Sequence, residues 1–192
     1  MRADLNMTLF GKIRGGVLPK SNDVAHVDLN GHFIRWLDRK IVHRHKLVYR
    51  SINVLVFHPD DGSLLVQRRQ LDKVPNGGHW DISVAGHVDY RDHPFGDPNA
   101  DVMAFERSAV RELQEEIGIN VPLSLINIFG PQRGIHHEYL ALYRCESRGP
   151  FTPQQSEVEA LKWITPSTLL TLSPRTKHLN WMTESILGWK QP

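Results

Sequence analysis

The sequence has almost no cysteine. Among its 192 residues only Cys145 carries a thiol, so no disulfide can form within the chain. A fold without disulfides is compatible with a reducing compartment, and the cytoplasm is the predicted location. Long apolar runs are also missing. The segment that follows Met1 contains an acidic residue and no uninterrupted hydrophobic stretch, so we predict neither a secretory signal nor a membrane span.

An excess of charge of one sign is absent too. Lysine and arginine together number 23 and aspartate and glutamate 21, which gives a net charge of +2 with neutral histidines. So small a charge does not require a nucleic-acid partner, although it would not repel an anionic small molecule. The share of charged residues, 23%, is ordinary for a globular protein and argues against a coiled coil or a disordered chain. At this length we expect one domain.

The hydrophobic pattern changes near residue 46. Residues 1–45 lack sustained periodicity, apart from a short apolar patch at 32–37, and predict an irregular N-terminal extension packing on a domain that spans 46–192. Within the domain, strands are predicted at 52–57, 63–69, 82–88, 124–129, 138–143 and 159–164, with a hairpin turn at 59–62. Helical signals occupy 165–172 and 178–189. The predicted fold class is α+β, a mixed β-sheet packed between helices.

A further predicted helix precedes residue 118. Apolar residues recur along it at spacings of three and four, namely Val102, Phe105, Ala109, Leu113 and Ile117. Gly118 stands where a C-terminal cap would fall. The polar stretch 89–101 before the helix contains two prolines and predicts an exposed loop.

Three glutamates lie on this helix beside the apolar stripe. Glu112, Glu115 and Glu116 occupy positions i, i+3 and i+4, so they project within about 100° of one another. Such clustering destabilises a helix unless a cation compensates, and Mg²⁺ prefers carboxylate oxygens. A metal site for Mg²⁺, with Mn²⁺ as a substitute, is one interpretation. A solvated acidic face is the other, and the spacing alone favours it.

The longer sequence around these glutamates resembles a known family. Residues 111–119, Arg-Glu-Leu-Gln-Glu-Glu-Ile-Gly-Ile, match the second half of the Nudix box, REuxEExGu, in which u is aliphatic. Residues 64–69 and 80–87 are similar to the branch that contains isopentenyl-diphosphate isomerase and its hydrolase relatives. The resemblance covers about residues 45–165. It implies an α/β/α sandwich and a metal-dependent enzyme that cuts a diphosphate linkage.

The resemblance also implies roles for individual residues. In the family the glutamates of the box bind the metal, which assigns that role to Glu112, Glu115 and Glu116. The backbone carbonyl of Gly86 is implied as a further ligand. A glutamate from a later strand commonly completes the site or activates water, and Glu138 is the candidate here, although a surface glutamate on a hairpin would look the same.

Two basic residues match positions that contact the diphosphate in the isomerase branch. These are Arg69 and Lys73, and cations of this kind bind phosphate oxygens well. A strand-end arginine and a loop lysine kept for solubility are the alternative. Arg111, by contrast, is expected to pair with a carboxylate and orient the helix rather than to contact the substrate.

The chain departs from the family pattern between Gly86 and Arg111. This interval is eleven residues longer than in the usual box, and the extra residues fall in the loop at 89–101, where insertion costs little. The position of the box's first glutamate is Met103. Glu106, three residues later, is the other candidate for that bracing role.

Three function classes compete: a diphosphate hydrolase, an isomerase of the same fold and a binding module without catalysis. Ala85 stands where the isomerase pattern has a catalytic cysteine, and Tyr49 replaces one of its histidines. A binding module has no reason to keep the three glutamates together. The hydrolase is therefore favoured, with a nucleoside di- or triphosphate as the first candidate substrate and other X-linked diphosphates left open. The predicted partner is this small molecule; no nucleic acid or membrane is required, and a homodimer is compatible with the sequence.

Overall fold

The computed structural model describes residues 19–73, 77–93, 103–132, 136–165 and 168. These ranges contain nine strands, two α-helices and a single 3-10 turn. In chain order they are β1 (Asp23–Val27), β2 (Phe33–Asp38), α1 (Arg39–His45), β3 (Tyr49–Phe57), β4 (Leu64–Arg69), β5 (Trp80–Asp81), β6 (Val84–His87), the 3-10 turn (Tyr90–Asp92), α2 (Ala104–Ile117), β7 (Ser124–Phe129), β8 (Glu138–Glu146) and β9 (Val158–Ile164).

Strand β3 is the centre of the sheet. It pairs in parallel with β8 over its whole length, from Tyr49 opposite Glu138 to Phe57 opposite Glu146. It also pairs antiparallel with β6, and β8 continues the sheet to β7. The sheet therefore contains both parallel and antiparallel pairs, as the sequence predicted.

The predicted hairpin is present only at its turn. Strands β3 and β4 share one pairing, Phe57 with Leu64, and then separate. Strand β4 instead pairs with β9 along its length and with the short strand β5. Strand β4 is therefore an inner strand of the sheet rather than half of a two-stranded ribbon, and its residues from Leu64 to Gln67 are buried.

Alternation along β3 divides the core into two clusters. The side chains of Ile52, Val54 and Val56 belong to the cluster that contains α2, whereas Leu55 and Phe57 belong to the cluster on the other face of the sheet. Helix α2 contributes its apolar stripe to the first cluster, as predicted, through Ala109, Leu113 and Ile117, which are fully buried. The helix ends at Gly118, whose φ of 75° confirms the predicted cap.

The prediction that residues up to 45 are irregular is wrong for the part that the structure describes. Strands β1 and β2 form an antiparallel pair, and β1 joins β3 through the pairing of His26 with Tyr49. Helix α1 follows β2 directly, because the side chain of Asp38 accepts a hydrogen bond from the backbone N–H of Lys40 at 2.8 Å. The apolar patch at 32–37 corresponds to β2, whose residues are half-buried or exposed, so no regular alternation marks the strand. The domain boundary at residue 46 stays a prediction.

The two helices predicted after residue 164 lie, apart from residues 165 and 168, outside the described residues. Within the described ranges, no helix is both long and apolar enough to cross a membrane.

Candidate active site

A cavity of about 630 Å³ opens where α2, β6, α1 and the beginnings of β3 and β8 meet. Six of the seven residues predicted for the site line it: Arg69, Gly86, Glu112, Glu115, Glu116 and Glu138. The seventh, Lys73, is not among the lining residues. Its ammonium group contacts the carboxylate of Glu157, which does line the cavity. The structure therefore brings the acidic residues and Arg69 together in one cavity. Lys73 lies behind Glu157 and is connected to the cavity through that carboxylate.

Gly86 allows α2 to approach β6. A Cβ atom at residue 86 would overlap the side chain of Glu112, so only glycine permits this contact with the present position of the glutamate. Two donors of the helix hold the end of β6, since Ser108 Oγ and Arg111 Nη2 both donate to the carbonyl of His87, at 3.2 and 3.0 Å. The glycine and the glutamates are thereby fixed against each other.

Arg111 joins the acidic groups of the site. Its Nε and Nη2 donate to the two carboxylate oxygens of Asp92 at 3.0 and 2.8 Å. Its Nη1 donates to Glu112 Oε1 at 2.8 Å and to Glu115 Oε2 at 3.1 Å. The expectation that Arg111 pairs with a carboxylate is thus confirmed. That it orients the helix rather than contacting the substrate stays a prediction. Burial acts to lower the pKa of Arg111, but hydrogen bonding to Asp92 and the charge of Glu112 raise the pKa above its usual value, so the guanidinium stays charged.

The prediction of an exposed loop from residue 89 is wrong at its beginning. The side chains of Asp89 and Asp92 are only 8% and 3% exposed. Asp89 caps the 3-10 turn, and the side chain of Asp92 accepts from the backbone N–H of Asp89 in return. Their charge is compensated by Arg91 and Arg111, which is why such polar residues can be buried. Residues 94–102 lie outside the described ranges.

Asp92 fixes Arg111 in this fold. Neither Met103, at the position of the first glutamate of the box, nor Glu106 is among the described residues that line the cavity. The buried carboxylate of Asp92 instead receives two hydrogen bonds from Arg111. The lengthened segment before α2 therefore supplies a carboxylate to the arginine at the point where the sequence departs from the usual pattern.

Glu116 is buried, and the side chain of Glu112 is 14% exposed. Glu116 is 7% exposed, and its Oε2 accepts a hydrogen bond from Gln67 Nε2 at 3.0 Å. Burial, with a further contribution from the charge of Glu112, raises the pKa of Glu116 to about 8. Burial also raises the pKa of Glu112 to about 7, although Arg111 opposes this shift. Each carboxyl therefore holds its proton to higher pH than an exposed glutamate does.

The acidic groups do not converge into a ligand set. Among the residues that the structure describes, no three histidine, cysteine, aspartate or glutamate side chains are arranged as a metal-binding group in their present positions. One oxygen of Glu112 and one of Glu115 accept from Arg111, and one oxygen of Glu116 accepts from Gln67. The donor set nevertheless fits a hard divalent cation in its chemistry, since it consists of carboxylate oxygens that line one cavity.

An aromatic and histidine group forms another part of the lining. The hydroxyl of Tyr49 donates to Glu138 Oε1 at 2.7 Å, and the Tyr49 ring stacks on His87 with centroids 5.1 Å apart. The Nε2 atoms of His43 and His87 are 3.2 Å apart. Burial lowers the pKa of His87 well below its usual value, and burial with the charge of Arg39 lowers the pKa of His43. Both imidazoles are therefore neutral near pH 7.

Arg69 presents a donor that no described residue accepts. Its Nε is buried and has no hydrogen-bond partner among the described residues, and the side chain lines the cavity. A buried donor without a partner costs stability, and such atoms are often completed by a ligand.

Comparison with known families agrees with this arrangement. The sequence model of the NUDIX domain family matches residues 48–184 of the chain. The chain belongs to the Nudix family. The match begins just before β3, so it includes β6, α2 and all the predicted site residues, whereas β1, β2 and α1 precede it.

Relatives by sequence carry the same family name. The chain is 34% identical over 127 residues to the uncharacterized Nudix hydrolase YfcD of Salmonella typhi, covering 66% of this chain and 60% of that protein. It is 31% identical over 149 residues to the uncharacterized Nudix hydrolase PA4841 of Pseudomonas aeruginosa, covering 77% of this chain and 80% of that one. Nudix hydrolase 3 of Arabidopsis thaliana is 30% identical over 137 residues, but the matched part is 16% of its length.

Solved structures with low sequence identity share the fold. DR0079 of Deinococcus radiodurans superposes with a TM-score of 0.69 at 17% identity, covering 88% of this chain and 99% of that one. The NUDIX domain of NrtR from Shewanella oneidensis, solved with ADP ribose, superposes with a TM-score of 0.56 at 18% identity, covering 73% and 87%. These neighbours confirm the predicted α+β sandwich of the Nudix type.

Sequence reasoning missed several residues that the structure brings to the site. Gln67, which holds Glu116, follows the apolar residues 64–66 and begins the polar end of β4, so the sequence pattern does not single it out. Glu157, which contacts Lys73, and Asp92, which holds Arg111, lie in polar segments that give no signal either. The sequence pattern marks Tyr49 only as a residue that stands in place of a histidine.

Proposed function

We propose that the chain is a divalent-metal-dependent hydrolase of a diphosphate linkage, acting on a nucleoside di- or triphosphate or a related X-linked diphosphate. The observation that carries the proposal is that the glutamates of α2 and the unpartnered donor of Arg69 line the same cavity. Acidic oxygens for a cation and a cationic donor for phosphate oxygens are the two components that hydrolysis of a diphosphate needs.

Glu112, Glu115 and Glu116, with the backbone carbonyl of Gly86, would hold the metal ion. Mg²⁺ suits these oxygen donors, and Mn²⁺ can replace it. When bound, the ion supplies positive charge against the phosphate oxygens. Arg111 donates to one carboxylate oxygen of Glu112 and to one of Glu115, so the other oxygen of each carboxylate would be the one to hold the ion. Asp92 keeps Arg111 in place.

The chain's own side chains support the attack of water on phosphorus. Arg69 donates hydrogen bonds to phosphate oxygens from the cavity wall. Glu138 accepts a proton as the water oxygen forms its bond to phosphorus and the bond from phosphorus to the bridging oxygen breaks. The leaving phosphate takes the electron pair of the broken bond. The reaction therefore needs no co-reactant other than water.

The substrate class follows from the dimensions and lining of the cavity. A volume of about 630 Å³ lies within the range typical of sites for nucleotide-sized ligands. The NUDIX domain of NrtR, which shares this fold, was solved in complex with ADP ribose, a molecule that contains a diphosphate. Ala85 lines the cavity without an acid or thiol group, which favours hydrolysis over isomerisation. We also propose a cytoplasmic location, because Cys145 is a free buried thiol.

Glutamine substitution of the acidic residues tests the proposal. We expect Glu115→Gln and Glu116→Gln each to lower Mg²⁺-dependent phosphate release by about 100-fold or more, because each loses an anionic ligand for the cation that stabilises the phosphoryl charge. The assay uses a panel of nucleoside, sugar and isoprenoid diphosphates. Glu106→Gln on the same helix is the matched control, since Glu106 does not line the cavity. Thermal unfolding is measured for every variant. Wild-type turnover in both cavity variants at saturating Mg²⁺ would exclude the metal site.

A further inference from the structure

Tyr49 and Glu138 are the first residues of neighbouring parallel strands. They face each other directly in the register of β3 and β8, and the backbone N–H of Tyr49 donates to the carbonyl of His137 at 3.4 Å. The pairing places the tyrosine hydroxyl 2.7 Å from Glu138 Oε1. The contact therefore follows from strand register and does not depend on a loop.

The tyrosine ring is held by its neighbours. Tyr49 is 5% exposed and belongs to the small apolar cluster with Val24 and Val42. His87 stacks on one face of the ring, and His43 packs against it edge-on with centroids 5.2 Å apart. A ring confined in this way cannot turn freely, so the direction of its hydroxyl is fixed.

The hydroxyl can act only as a donor toward Glu138. Burial, the charge of Glu138 and their hydrogen bond together raise the pKa of Tyr49 well above its usual value, so the phenol keeps its proton. The charged or titratable groups that face this pair are Arg39 of α1, His43 and His87. A carboxylate offers about four lone-pair sites, and Tyr49 occupies one of them. The remaining sites of Glu138 stay available to accept a proton.

We infer that Tyr49 is a positioning residue that holds the carboxylate of Glu138 toward the cavity, so that Glu138 can accept a proton from the attacking water. This inference rests on the proposed function. Tyr49 acts through Glu138 and has no contact with the reacting atoms in this role.

A double-mutant cycle on the full chain tests the inference, because it separates a role through Glu138 from a general effect on the fold. Tyr49→Phe removes the hydroxyl and keeps the buried ring. We expect it to lower kcat about tenfold with little change in KM, since a hydrogen bond to a charged group is lost but the phosphate contacts remain. Glu138→Gln should lower kcat by about 100-fold or more. In the Glu138→Gln background, adding Tyr49→Phe should change kcat by less than about twofold.

Tyr143→Phe is the matched control, because Tyr143 is a buried tyrosine on β8 that does not line the cavity. It should leave kcat unchanged. Glu138→Asp gives a test that does not depend on the folding of the Tyr49 variant: its shorter side chain retains a base but moves the carboxyl away from the hydroxyl. We expect kcat to fall about tenfold.

The outcomes separate this inference from the proposed function. Equal losses from Tyr49→Phe in the wild-type and Glu138→Gln backgrounds, or full kcat in Glu138→Asp, would overturn the role of Tyr49 and leave the hydrolase proposal intact. A wild-type protein that releases no phosphate from any diphosphate of the panel with Mg²⁺ would overturn both.

Discussion

Replacing Asp92 with asparagine removes one negative charge from the centre of the site with almost no change in shape. Asp92 Oδ1 accepts from Arg111 Nε at 3.0 Å. Its Oδ2 accepts from Arg111 Nη2 at 2.8 Å and from the backbone N–H of Asp89 at 3.0 Å. A carboxamide has one acceptor oxygen and one NH₂ group. Whichever way it turns, the NH₂ group faces at least one donor, so at least one hydrogen bond is lost.

The size of the effect follows from these contacts. A lost hydrogen bond to a charged group costs about 1.5–3 kcal/mol, and breaking a buried ion pair completely costs about 3–5 kcal/mol. Arg111 keeps Glu112 and Glu115 as partners, so the arginine is not left uncompensated. We therefore expect Asp92→Asn to lower the free energy of unfolding by about 2–3 kcal/mol. For a chain of this length that corresponds to a fall in Tm of roughly 4–12 °C.

The assay is urea and thermal unfolding of the metal-free protein. Asp60→Asn is the matched control, because Asp60 also pairs with an arginine, Arg148, but the two side chains are 59% and 63% exposed. The control should unfold at the wild-type temperature, since exposed ion pairs contribute little. An Asp92→Asn protein as stable as wild type would refute the argument that the buried carboxylate anchors Arg111.

The metal-free protein should lose stability as the pH rises, because Glu112 and Glu116 have raised pKa values of about 7 and 8. The stability they contribute is fully present below pH 4.5, the ordinary pKa of glutamate, and is lost as the pH rises through their folded-state values. Thermal unfolding in chelator should therefore show Tm falling from about pH 4.5 to about pH 8, with Mg²⁺ reversing the fall and Glu116→Gln reducing it. A Tm that does not change over this range would contradict the burial of these carboxyls. Gly86→Ala should lower Mg²⁺ affinity by about tenfold or more in calorimetric titration, because the new Cβ overlaps the side chain of Glu112. Unchanged affinity would show that the position of Glu112 does not matter for the metal.

Helix α2 and the central strands were predictable because their signals are local. A buried helix has to present an apolar residue every three or four positions, and a strand buried on one face has to alternate. The helical period of α2 and the apolar runs of the central strands, which are buried on both faces, are visible in the sequence, so α2, its cap at Gly118 and these strands were predicted to within a few residues. The glutamates were found with them, because residues at i, i+3 and i+4 share one side of any helix.

The partners of those residues were decided by the tertiary structure alone. Tyr49 and Glu138 are 89 residues apart and meet because β3 and β8 pair in parallel, a register that neither strand encodes by itself. Arg111 pairs with Asp92 across the lengthened segment, although the composition of the stretch around Asp92 predicts exposure. Whether a polar residue is buried depends on which opposite charge the fold brings to it, and that contact is made between distant parts of the chain. Sequence periodicity thus fixes which face of an element is apolar, whereas the charges, protonation and anchoring of the site exist only once the elements have packed.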